Sequence, residues 1–114
     1  MDINRKKRLL EEYRNRRPEM GVISFRCKYT GERFLGFSMD TKADFNSNRF
    51  KLSAKGHPNK LLQNLWDEYG ESGFELSVIE ILEYDNPDDD HSRKLATLLA
   101  LCFANDPKAR RIWR

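Results

Sequence analysis

Residues 21–37 read GVISFRCKYTGERFLGF, and this stretch decides the fold. Residues 21–28 and 33–37 are both rich in apolar and aromatic side chains, and residues 29–32 between them supply Thr30 and Gly31 for a turn. Two runs of this composition around a short glycine-containing turn are typical of a β-hairpin. The sequence therefore predicts two antiparallel strands joined by a tight turn.

Outward from the hairpin, the apolar pattern predicts one more strand and four helices. Residues 74–82 form a near-continuous apolar run, which indicates a third strand in a central position, covered on both faces. Helical spacing, caps and breakers predict helices over residues 4–16, 42–55, 61–70 and 87–104, with Gly56 ending the second and Asn86-Pro87 beginning the last. The predicted fold class is α/β (α+β), with a small three-stranded, mainly antiparallel sheet flanked by helices.

The same spacing predicts which helix faces are buried, because residues three and four apart lie on one side of a helix. The expected stripes are Ala43, Ser47, Phe50 and Ala54 in the helix over 42–55; Leu61, Leu62, Leu65, Trp66 and Tyr69 in the helix over 61–70; and Leu95, Leu98, Leu99 and Cys102 in the last helix.

Length and composition exclude several classes of protein. A chain of 114 residues with net charge +3 and 39% hydrophobic residues fits one domain over 1–114, whose motif-bearing core spans about 21–82. No apolar stretch approaches the roughly 20 residues of a membrane span. Cys27 and Cys102 are far apart with no paired cysteine nearby, so neither a disulfide framework nor a zinc site is indicated. We therefore expect no membrane partner and a cytoplasmic location.

Two tripeptides in the hairpin have a fixed spacing: Gly21-Val22-Ile23, then ten residues, then Phe34-Leu35-Gly36. This arrangement resembles the paired motifs of the GIY-YIG nuclease family. The following segments agree with the resemblance: a predicted helix bearing Arg49, a polar loop over residues 56–60, and a helix that ends in Tyr69-Gly70. The resemblance implies a GIY-YIG-like fold over about residues 21–82.

The resemblance also assigns roles to particular positions. In the family, a tyrosine in each tripeptide acts near the attacking water, an arginine on the first helix contacts phosphate, and a glutamate on a later helix holds a divalent metal. Here the tyrosine positions hold Ile23 and Phe34, Arg49 matches the arginine, and His57 matches a loop histidine of some members. Arg49 and His57 are thus the candidate catalytic residues.

The chain differs from the family at the positions that carry the catalytic groups. Ile23 has no polar atom, Phe34 lacks the hydroxyl, and no glutamate follows Glu83. Asp90 remains only as a remote candidate for a metal ligand, and Asp88 to Asp90 are otherwise expected to be charges at a helix N-terminus. We therefore expect a catalytically impaired domain without a cofactor. The alternative is an active endonuclease that hydrolyses phosphodiester bonds with Mg²⁺ at a rearranged site.

Basic residues suggest what such a domain binds. Arg49, Lys51, Lys55 and Lys60 form a basic edge that predicts weak binding of DNA without sequence specificity. Residues 1–17 carry a local charge of +4 and are a second candidate for the same role. A protein partner is the other possibility. For Arg49 the alternative is an ion pair with Asp44 or Glu32, and for His57 it is a solvent-exposed turn.

Overall fold

The computed structural model describes residues 17–113. Its elements, in chain order, are β1 (Met20–Cys27), β2 (Arg33–Ser38), α1 (Thr41–Ser53), α2 (Lys60–Tyr69), a 3-10 turn (Glu71–Gly73), β3 (Phe74–Leu82), α3 (Ser92–Asn105) and β4 (Arg110–Arg111). The helix expected over residues 4–16 lies outside the described residues. No helix within residues 17–113 has the length and apolar character needed to cross a membrane.

The predicted hairpin and the third strand form one sheet, in the strand order β3-β1-β2-β4. β1 pairs antiparallel with β2, which confirms the predicted hairpin, and it also pairs antiparallel with β3, which confirms that residues 74–82 join the same sheet. The count of three strands was wrong by one, because β4 pairs parallel with β2 through only two residues. Arg110 and Arg111 carry no apolar signal, and their pairing depends on the tertiary fold.

The central position expected for residues 74–82 was wrong, since β1 is the central strand and β3 lies at an edge of the sheet. The apolar run has another cause. A β-bulge between Val22 and Ile23 in the β1–β3 ladder shifts the register of β3. Leu76 and Val78 pack against one core cluster and Ile79 against the other, so this edge strand contributes to both layers of packing.

The sheet separates two apolar clusters because alternate residues of a strand point to opposite faces. One face bears Ile23, Phe25 and Phe34, which are buried with side chains of α1 and α2. The other face bears Val22 and Leu35, which pack against α3. The result is a layer of two helices, a sheet and a layer of one helix.

The buried face of α1 differs from the predicted stripe. Thr41, Asn48 and Leu52 are buried, whereas Phe50 is 74% exposed and the rest of its predicted stripe is exposed as well. Each residue turns a helix by about 100°, so burying Leu52 turns Phe50 to the opposite side. Similarly, Leu61 of α2 is 38% exposed, and Gln63 is buried in its place beside Leu62.

The start of α3 lies five residues later than predicted. Asn86 does not cap a helix, because its side chain accepts from the N–H of Asp88 in a separate turn. α3 begins at Ser92, and the carbonyl of His91 accepts the first bond, from Leu95 N, at 3.0 Å. His91 is buried and its Nε2 contacts Asn86 O at 2.7 Å, which holds the turn on the helix. The predicted stripe is confirmed, with Leu95, Leu99 and Cys102 buried and Leu98 partly buried.

Candidate functional site

The two positions that correspond to the family's tyrosines lie inside the core. Ile23 and Phe34 are each 0% exposed and belong to the cluster beneath α1 and α2. Ile23 pairs with Gly36, two residues beyond Phe34, so both side chains lie on the same face of neighbouring strands. Neither residue offers a polar atom or solvent access. These two positions cannot bind or activate water in this arrangement.

The segment around β4 covers this part of the sheet. Ile112 N donates to Leu35 O at 3.0 Å, and the Ile112 side chain is buried in the cluster that contains Ile23 and Phe34. The next side chain, Trp113, packs against the same cluster. The sequence did not reveal this cover, because a short basic segment with Trp113 can either dock on the domain or stay free of it.

His57 is buried at 6% exposure, so the alternative of a solvent-exposed turn was wrong. Asn59 N donates to Nδ1 of His57 at 3.0 Å, and Nε2 of His57 lies 2.7 Å from Oδ1 of Asn48. A backbone N–H can only donate, so Nδ1 is the acceptor and Nε2 carries the proton that Asn48 accepts. The amide of Asn48 in turn donates to Asp44 O at 2.7 Å.

Gln63 completes this buried polar cluster from α2. His57 N donates to Oε1 of Gln63 at 3.1 Å, and Nε2 of Gln63 donates to Leu52 O at 2.9 Å. The cluster therefore joins the end of α1, the following loop and α2. Sequence reasoning missed Asn48 and Gln63, although each lies within one helical turn of a buried leucine, Leu52 or Leu62, on its own helix.

The surroundings of His57 favour its neutral form. Burial lowers the pKa of His57, and the nearby positive charge of Lys51 lowers it further. Both ring nitrogens are already engaged within the protein. His57 in this state positions the loop, and a role as general base would require breaking one of these hydrogen bonds.

Arg49 is exposed and forms an ion pair with Glu71, just after α2. Neither of the partners expected from the sequence is used. The Ser38 hydroxyl donates to the Asp44 carboxylate. Oε2 of Glu32 lies 3.7 Å from Nε of Arg110. Glu71 therefore neutralises the one arginine of the basic edge.

The three lysines of the basic edge, Lys51, Lys55 and Lys60, are exposed around the loop that holds His57. Within residues 17–113 none of them forms an ion pair. Lys55 has a φ of 61°, in the left-handed region, and Gly56 N donates to Lys51 O at 2.8 Å to close the helix. The left-handed residue that ends the helix is therefore Lys55, one position before the Gly56 expected from the sequence. The loop presents positive charge on a backbone held by these hydrogen bonds.

Comparison with known proteins supplies a structural match. No protein-family model and no curated protein sequence matches the chain. Among solved structures, the catalytic domain of homing endonuclease I-TevI is similar, with a TM-score of 0.67 and 14% identity, covering 83% of this chain and 99% of that one. The chain has a GIY-YIG-like fold. A mutant of the I-TevI catalytic domain with one glutamate replaced by alanine matches with the same score and identity, covering 83% and 94%.

The resemblance implies a divalent metal, and Asp90, the candidate ligand, does not fit that role. Asp90 accepts from both N and Oγ of Ser92, and these bonds lower the pKa of Asp90. It precedes α3, which packs on the opposite face of the sheet from Ile23 and Phe34. Between residues 17 and 113, no three His, Cys, Asp or Glu side chains are grouped to hold a metal. Asp90 is therefore not placed to hold a metal beside the GIY-YIG positions.

Proposed function

We propose that this chain is a degenerate, catalytically impaired nuclease-like domain that binds nucleic acid through its basic edge. The observation that carries the proposal is the burial of Ile23 and Phe34 beneath the segment that bears Ile112. In a GIY-YIG-like fold, these positions would have to be open to water and a phosphodiester. Here they form part of the core.

The contributions to the reaction rate that a general base and a metal ion normally make are large, and this supports a catalytically impaired domain. A positioned general base supplies roughly 10²–10⁴-fold in rate, and a metal ion supplies several kcal/mol of charge stabilisation. Ile23 cannot act as the general base, and Asp90 lies before α3, which packs on the other face of the sheet, so it is not placed to hold the metal. His57 engages both ring nitrogens in structural hydrogen bonds.

The lysines support binding without catalysis. Lys51, Lys55 and Lys60 are exposed and form no ion pair within the described chain, so a phosphate backbone can approach them. Neutralising three phosphates of a duplex predicts a slope of roughly −2.7 for log affinity against log salt. Lysine contacts to phosphate carry no sequence information, so binding should be weak, salt-sensitive and nonspecific.

Two assays on the full chain test the proposal. Incubation with linear and branched DNA in Mg²⁺ or Mn²⁺ should give no cleavage above background. Lys51→Ala combined with Lys55→Ala should lower duplex affinity at every sequence and flatten the salt slope by about two units. Lys94→Ala combined with Lys108→Ala removes the same charge from other exposed positions and serves as the matched control.

Specific outcomes would contradict the proposal. Metal-dependent cleavage that disappears in Arg49→Ala would establish the active endonuclease instead. Binding that is lost in Arg14→Ala combined with Arg16→Ala, but kept in the Lys51 and Lys55 variant, would assign it to residues 1–17. Absence of binding even at low salt would favour a protein partner.

A further inference from the structure

A cleft of about 610 Å³ opens between the loop before α2 and the segment after β4. We call it the Trp113 cleft. Among the described residues it is lined by Pro58, Asn59, Lys60, Arg111, Ile112 and Trp113. Its volume lies in the range of sites that hold small organic molecules. The cleft adjoins the basic edge, because Lys60 belongs to both.

The lining combines flat apolar surface with positive charge. Lys60 is an exposed cation, and the residues that line the cleft include no carboxylate. The guanidinium of Arg111 instead lies 4.9 Å from the ring of Phe103, which packs with α3 on the other face of the sheet. Lys60 is also the first residue of α2, whose N-terminal end carries the positive end of the helix dipole. An anion in this cleft is therefore attracted by Lys60 and by the helix.

Trp113 supplies the aromatic surface. A Cβ atom placed on Gly36 would lie 2.6 Å from Cε3 of Trp113, so the indole rests directly on the backbone of β2. The side chain is only half-buried, and it also lines the cleft. The indole is thus supported from the sheet and accessible from the cleft. Such an arrangement suits a platform for another flat ring.

The two sides of the cleft are joined by one side chain. Nδ2 of Asn59 donates to Arg111 O at 2.8 Å and to Ile112 O at 3.2 Å. Oδ1 of Asn59 accepts from Leu62 N at 3.1 Å and caps α2. The backbone of Asn59 is fixed in turn by His57. The cleft is therefore built before any ligand enters, which lowers the entropic cost of binding.

We infer that the Trp113 cleft binds one unpaired nucleotide of a single-stranded nucleic acid. The base would stack on the indole of Trp113, and its phosphate would be held by Lys60 at the N-terminal end of α2. A base inside a duplex has both faces stacked on its neighbours, so it cannot offer a face to Trp113 without being flipped out. This inference rests on the proposed nucleic-acid binding and adds a preference for single strands.

Fluorescence anisotropy with labelled oligonucleotides tests the inference on the full chain. Three ligands are compared: a short oligothymidine strand, an abasic strand of the same length and charge, and a duplex. Stacking of one base predicts that the oligothymidine binds about 5- to 150-fold more tightly than the abasic strand. Trp113→Leu should remove that difference and leave duplex affinity unchanged. Trp113→Phe should keep most of it, because a ring remains.

The charge of the cleft is tested at Lys60. Lys60→Ala should flatten the salt slope for the single strand by about 0.7. Lys94→Ala is the matched control, since Lys94 is an exposed lysine that does not line the cleft. Thermal unfolding of each variant shows whether it is folded. If Trp113→Leu does not fold, the Phe variant and the comparison of the oligothymidine with the abasic strand still decide.

The outcomes separate this inference from the proposed function. Equal affinity for the oligothymidine and abasic strands would overturn the cleft assignment and leave the basic edge intact. Equal losses on single strands and duplex in Trp113→Leu would do the same. No binding of any ligand would overturn both. If Trp113→Leu loses single-strand binding, while the Lys51 and Lys55 variant keeps both single-strand and duplex affinity, the cleft is upheld and the basic edge is rejected.

Discussion

Gly36 of β2 and Trp113 are in such close contact that no side chain fits at position 36. A Cβ atom there would lie 2.6 Å from Cε3 of the indole and closer still to Cζ3. Gly36 was quoted from the sequence as part of a tripeptide motif. In the structure it is the surface on which Trp113 is seated.

Gly36→Ala should therefore destabilise the fold by about 1–3 kcal/mol, the usual cost of overpacking. The free energy of unfolding in urea measures it. Gly56→Ala is the control, because a Cβ atom at Gly56 meets nothing within 4 Å and its φ is ordinary. If the clash is the cause, Trp113→Ala should reduce the penalty of Gly36→Ala in a double-mutant cycle. Equal costs for the two glycine variants would contradict the prediction.

Stability should depend on pH through His57. Its folded-state pKa is lowered by burial and by Lys51, whereas the unfolded value is about 6.5. Below pH 6.5 the unfolded chain therefore binds more protons than the folded chain, so this contribution is fully present above pH 6.5 and is lost as pH falls further. Unfolding free energies between pH 7.5 and 5.5 check this.

The control for the pH experiment is a second histidine. His57→Asn removes the titrating ring and should flatten the pH dependence, even if it lowers stability overall. His91→Asn, at the other buried histidine, should leave the dependence attributable to His57 in place. A His57→Asn variant with the wild-type pH dependence would disprove the assignment.

The ion pair between Arg49 and Glu71 should limit nucleic-acid binding. Glu71→Gln releases Arg49, and a fourth phosphate contact would steepen the duplex salt slope from roughly −2.7 to roughly −3.6. Titrations at several salt concentrations give the slope. Glu83→Gln changes the charge equally at the far end of β3 and should not alter the slope. An unchanged slope in Glu71→Gln would mean that Arg49 does not reach the phosphate backbone of the duplex.

Lys55 is held in a backbone conformation that favours glycine. At a φ of 61° a residue with a Cβ atom carries roughly 1–2 kcal/mol of strain. Because glycine also loses more chain entropy on folding, Lys55→Gly should stabilise the protein by about 0.5–1 kcal/mol net. Lys55→Ala removes the same charge and keeps the strain, so it should not be stabilising. Thermal or urea unfolding of these two variants separates the effect of the backbone strain on stability from the effect of the lost charge.

The sequence allowed the hairpin and the buried stripe of α3 to be predicted because both depend on local periodicity. The spacing from Gly21 to Gly36 also led to the GIY-YIG-like fold. The position of β3 could not be predicted in this way. A strand that contributes to two clusters across a bulge has the same apolar run as a central strand, and only the pairing partners distinguish them.

The site was less predictable than the fold. The basic edge could be quoted from the sequence, but the partner of Arg49 depends on how α1 packs beside the turn at Glu71. His57 looked like a surface residue because its acceptor Asn48 is nine positions away on another element. Polar side chains that satisfy one another in the interior leave no periodic signal.

The parallel pairing of β4 with β2 has a consequence for the order of assembly. Phe34 leaves the ribosome roughly 80 residues before Ile112, a delay on the order of 4–16 s at ordinary rates of synthesis. During that interval the hairpin can form, but the sheet surface at Gly36 has nothing to cover it. The core can therefore close only after the hairpin has been synthesised, when the two-residue strand β4 and the adjacent Ile112 and Trp113 reach it.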